Sequence, residues 1–148
     1  MPLVHPEVEH ANVEDRLDSI SIELKGSEIA AIEQDGAVVR IKFERAYLIK
    51  TMTGSSERTR WWQAGDLVIA GVETDLDLPS GPLVCAGGDI DANIYTYRDM
   101  IPIPLASRGQ VRCDLRFEGG SEPLIVEGTE IRLEMWETPK YIEHIRPG

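Results

Sequence analysis

The sequence predicts an all-β fold: an antiparallel sandwich of jelly-roll type with about ten to twelve short strands, or alternatively a closed β-barrel. Three observations carry this. Between Gly109 and Glu137, Val111, Cys113, Leu115 and Phe117 alternate with Arg112, Asp114, Arg116 and Glu118, and Ile131, Leu133 and Met135 alternate with Arg132 and Glu134. A period of two puts each apolar set on one face of a strand and each charged set on the other. Turn signals rich in Gly, Asp and Pro recur at roughly 8–12-residue spacing. Met100–Leu105 reads MIPIPL. Its prolines, two apart, lack amide donors on one strand edge, so this segment belongs at a sheet edge, and a true edge favours the sandwich.

The elements follow in chain order. Residues 1–16 read as an irregular acidic arm, and Asn12 to Leu17 as a short helix capped by Asn12. From Ser19 the period changes: Ile20, Ile22 and Leu24 alternate with Ser21 and Glu23, a strand ended by Lys25-Gly26. Ile29–Glu33 and Ala37–Glu44 flank Gln34-Asp35-Gly36. Asp-Gly supplies the positive φ angles of a tight hairpin turn. Ala46–Met52 is a further strand, and Thr53–Thr59 a polar loop. Arg60–Gln63 carries Trp61 and Trp62, which as strand neighbours point to opposite faces, one buried and one exposed. Leu67–Val72 is apolar at nearly every position and reads as a central strand. Thr74–Pro82 is a turn-rich link, and Leu83–Ala86 a short strand broken by Gly87-Gly88. Ile90–Tyr97 reads as one strand. Glu118-Gly119-Gly120-Ser121 and Glu127-Gly128 read as turns, and Tyr141–Ile145 as the closing strand.

At 148 residues and 42% apolar content the chain is predicted to be a single β domain over residues 1–148. The net charge of −11 disfavours nucleic acid and anionic membranes, and no apolar run reaches the length of a membrane-spanning helix. Met1–His10 has no basic start leading into an apolar stretch, so no secretory signal is expected there and the chain is read as cytoplasmic. Cys85 and Cys113 belong to no CxxC pair and are expected as reduced, buried thiols.

Asp89-Ile90-Asp91-Ala92-Asn93 has the D-x-D-x-N spacing that opens a calcium loop. Ile94 stands where the turn needs Gly and Met100 where a bidentate Glu should be, so a solvated strand face outweighs a cation site. His5-Pro-Glu-Val-Glu-His10 concentrates imidazoles and carboxylates without the HExxH spacing. His144 alternates with Ile142 and reads first as a structural histidine. No G-x-S-x-G, P-loop or G-x-G-x-x-G pattern occurs, and no cofactor is implied. Trp61, Trp62 and Trp136 are candidate interface residues, because aromatic rings are enriched where proteins meet.

IPIPL, QVRCDLRFEGG, EGTEIRLEMWE and YIEHI together resemble segments of short bacterial all-β proteins of unassigned function. The resemblance covers the C-terminal third, implies a β-sandwich and transfers no catalytic residue.

Two functional expectations follow. The first is a non-enzymatic interaction protein that self-associates, as a homo-oligomer or with a protein partner, through an open edge or an aromatic patch. The second is a small-ligand- or metal-binding barrel, with or without enzymatic activity, whose mouth gathers Asp89, Asp91, Asn93 and His144.

Overall fold

The computed structural model describes residues 19–52 and 57–145, and within them nine strands and no helix. The expected arm over 1–16, the Asn12–Leu17 helix, the His5–His10 cluster and most of the Thr53–Thr59 loop lie outside the described residues. No helix among the described residues is long and apolar enough to cross a membrane.

The strands are β1 (Ser19–Asp35), β2 (Val38–Thr51), β3 (Arg58–Ala70), β4 (Leu83–Ala92) and β5 (Tyr95–Arg98). They continue with β6 (Met100–Ile103), β7 (Ala106–Phe117), β8 (Leu124–Met135) and β9 (Lys140–Ile145). Six of them, in the order β1-β2-β3-β8-β7-β4, form an antiparallel sheet that closes on itself. The closure is the pairing of Glu28 with Val84 and Ile29 with Leu83. The fold is therefore a barrel, and the expected jelly-roll sandwich is corrected. The prolines do sit on an edge, because β6 pairs with β1 alone among the sheet ladders. That edge belongs to an extension beyond the barrel, so it does not require a sandwich.

The extension exists because three strands outrun the barrel. β1, β2 and β3 are 17, 14 and 13 residues long. Their ends farthest from the β1–β2 turn join β6 and β9 in a separate flap of sheet. The sequence read each long strand as two short ones, because the side-chain period slips inside it. In β1 the buried positions pass from Ile22 and Leu24 to Ser27 and Ile29, and in β2 from Ile41 and Phe43 to Ala46 and Leu48. Each slip is a bulge, with a register shift between Glu23 and Glu28 and another between Phe43 and Ala46. A bulge bends the strand and changes which residues face inward without ending the ladder.

Ser27 holds the β1 bulge. Its hydroxyl donates to the Glu23 carbonyl at 2.7 Å and accepts from the Tyr47 amide at 3.1 Å. The residue is fully buried, so this side chain replaces a rung that the bulge removes.

The expected hairpin forms, but its turn is Gly36-Ala37: Asp35 ends β1 and pairs with Val38, and Gly36 alone takes a positive φ, 61°. Glu127-Gly128, expected as a turn, lies inside β8. There a β-carbon on residue 128 would run into the Ala70 carbonyl, so the glycine permits a close strand approach rather than a reversal. β4 likewise runs through Gly87-Gly88, and Gly88 faces the Asp114 carbonyl closely.

Ile41, Leu67, Ile69, Ile90, Leu115 and Ile131 are fully buried and pack inside the barrel. Each contributes roughly 1.5–3 kcal/mol relative to exposure. On the outer wall Arg40 donates to Asp66 at 2.7 Å and to Glu134 at 2.9 Å, while Arg132 donates to Glu134 at 2.8 Å. Val68, flanked in register by Arg40 and Arg132, is fully buried on that outer face. The aliphatic stems of the two arginines give the charge ladder a packing role as well.

Candidate interaction surfaces

The extension carries one of two distinctive surfaces. On one of its faces Ile20, Leu48, Lys50, Trp61 and Pro139 line an open slot of about 110 Å³. Trp61 is fixed there by its indole N–H, which donates to Thr59 Oγ1 at 2.8 Å, and by an edge contact with Tyr141 at 5.3 Å. The Tyr141 hydroxyl lies 2.7 Å from His144 Nδ1. On the other face Trp62 is held between Arg45, 4.5 Å from its ring centre, and Lys140, at 4.4 Å. Arg60 pairs there with Glu23 and reaches Glu143 at 3.7 Å. The two indoles therefore point to opposite faces as strand geometry demands, but both are half-buried rather than one buried and one bare. β9 pairs with β3 and with no other described strand. It leaves Tyr141 51% and Ile142 40% exposed beside that open edge.

The turn between β4 and β5 carries the other surface. Ile90–Tyr97 is not one strand: β4 ends at Ala92 and β5 begins at Tyr95, with a turn at Asn93-Ile94. Asn93 takes a left-handed φ of 58°, which asparagine tolerates better than most residues. Its side chain clamps the turn to β7. Nδ2 donates to the Arg108 carbonyl at 2.8 Å and to Ser107 Oγ at 3.2 Å, and Oδ1 accepts from the Gln110 amide at 3.0 Å. The backbone adds Asn93 N–H to the Gln110 carbonyl at 2.8 Å. This tethered turn presents Ile94, 87% exposed, and Tyr95, 61% exposed. Beside it runs a polar open groove of about 680 Å³ lined by Asp91, Thr96, Gln110, Arg112, Glu127 and Thr129, among others.

The predicted site residues fall as follows. Asp89 lies on β4 opposite Arg98 and Asp114. Asp91 lines the groove and accepts the Thr96 hydroxyl at 2.6 Å. The Asn93 oxygen is occupied by a backbone amide. His144 is paired with Thr59 in the extension. The strands thus bring Asp91 and Asn93 into one groove and place His144 in another sheet region. Among the described residues no three His, Cys, Asp or Glu side chains are grouped so as to hold a metal ion. Trp136 is 48% exposed after β8, its amide donating to the Ala64 carbonyl at 2.8 Å.

Both cysteines are free and fully buried. Burial pushes the Cys85 thiol upward and the Cys113 thiol far above the ordinary range. Neither is a nucleophile at neutral pH.

Sequence reasoning missed Ile94 and the slot. Ile94 was counted as one more apolar position in a strand. The slot is assembled from β1, β2, β3 and the Pro139 segment, which no local pattern joins. Compared with protein families, curated proteins and solved structures, the chain shows no match.

Proposed function

We propose that this chain is a non-catalytic interaction module that self-associates, and that the extension supplies a binding surface. The observation that carries the reading is the open β9 edge, with Tyr141 and Ile142 exposed beside an apolar slot. Unpaired edges and apolar patches are surfaces that proteins ordinarily cover, and here no described segment covers them. The barrel interior packs apolar side chains, and the buried thiols offer no chemistry. Sedimentation velocity over a wide concentration range tests the reading. The expected result is a concentration-dependent species larger than the monomer, weakened by Tyr141→Ser with Ile142→Lys. A monomer at every concentration refutes it.

A second reading, a small-ligand- or metal-binding barrel, draws on the groove beside the β4–β5 turn, which both Asp91 and Asn93 line. Melting temperature with and without millimolar calcium, zinc or manganese separates the two, because a ligand of the folded state alone raises stability with its concentration.

A further inference from the structure

The two surfaces are complementary to each other. Ile94 is an aliphatic knob, the most exposed of the large apolar side chains described. It stands on a turn fixed by the Asn93 hydrogen bonds, so little conformational freedom is lost when it is buried in a contact. The slot is a hole of about 110 Å³ walled by Ile20, Leu48, Trp61 and Pro139. An engineered cavity of about 150 Å³ accepts a benzene ring, so a hole of this size fits one branched aliphatic side chain.

The charges match as well. Among the described residues, Lys50 is the one ionisable residue lining the slot. The groove beside Ile94 is lined by Asp91 and Glu127 against Arg112. Arg112 already lies 3.9 Å from both Asp114 and Glu127. A neighbouring groove that shares Glu127 adds Glu73.

The knob and the hole lie toward the same end of the barrel. β4 runs antiparallel to β1, so the Ile94 turn that ends β4 lies on the side where Ile20 begins β1. Asp99 ties the two strands between them, its carbonyl accepting from the Leu24 amide and its amide donating to the Gly88 carbonyl.

We propose that a second copy of this chain seats its Ile94 turn in the slot of the first. This rests on the self-association proposed above and names its geometry.

The test uses the full chain. Ile94→Cys and Ile20→Cys proteins are mixed under mild oxidation. The native thiols are buried and stay out of the reaction. The expected product is a disulfide-linked pair in the mixture and not in either protein alone. Ile94→Lys, at an exposed turn position, is expected to weaken association roughly 10- to 100-fold, from the loss of one buried aliphatic side chain and its replacement by a charge facing Lys50. Lys50→Glu is expected to weaken it and to flatten its salt dependence. If the parent associates while both variants associate equally well and the mixture does not cross-link, the seating of Ile94 in the slot is overturned and self-association stands. If the parent is monomeric throughout, both fall.

Discussion

Replacing Ser27 by alanine removes one oxygen from the point where β1 leaves the barrel for the extension. The hydroxyl serves two backbone groups there, the Glu23 carbonyl at 2.7 Å and the Tyr47 amide at 3.1 Å. Alanine fits the space but offers neither group a partner, and the site is fully buried. A buried polar group left unsatisfied costs about 1–3 kcal/mol, so the pair costs about 2–6 kcal/mol. A domain of this size is held by roughly 5–15 kcal/mol, so the loss is a large fraction of its stability. Urea unfolding measures it as a lowered midpoint at unchanged slope. Amide exchange supplies the local readout: the Tyr47 N–H loses protection more than barrel amides such as that of Leu67. A change below about 0.5 kcal/mol, the size of an ordinary surface substitution, with Tyr47 still protected, refutes the claim that this side chain stands in for a rung.

Four further outcomes are expected. Arg40→Met keeps the cover over Val68 but leaves Asp66, only 7% exposed, without its partner; because the Arg40 side chain is itself 31% exposed, the cost is about 1–3 kcal/mol by urea unfolding. Hydrogen bonds from Arg40 and then Arg132 hold the Glu134 carboxyl below its ordinary value, so its contribution is full above the ordinary carboxylate range and is lost as pH falls through the lowered value; stability should drop less steeply between about pH 6 and pH 3 in Arg40→Met than in the parent. Cys85 and Cys113 should resist a thiol reagent in the folded protein and react only as fast as it unfolds, and rapid labelling of the native state would contradict their burial. Asn93→Ala should cost about 1–3 kcal/mol in a thermal or urea melt, from the left-handed backbone and the lost clamp, and Asn93→Gly should recover the backbone part.

What could be read from the sequence was local. The alternation of Val111 to Phe117 and of Ile131 to Met135 marked β7 and β8, and Asp35-Gly36 marked the first hairpin, because each signal lies within a few residues. The long strands were hidden because the parity slip near Gly26-Ser27 looks the same as a strand ending. The closed barrel was hidden because closure rests on Glu28 meeting Val84, a contact that no periodicity encodes. In the β4–β5 turn, Asn93 was singled out for its oxygen, yet that oxygen accepts from a backbone amide. An asparagine between two β-prone runs was the available turn signal, and the D-x-D-x-N spacing drew attention from it.

The ring of six strands has one thin stave. β1 and β4 share two rungs, where β3 and β8 share six. Warming or pressure should part the cylinder along that line first, unrolling it into a curved sheet with two raw borders. Those borders expose β-prone stretches around Ile29 and Leu83, so any tendency to clump on heating should begin there, before the remaining staves separate.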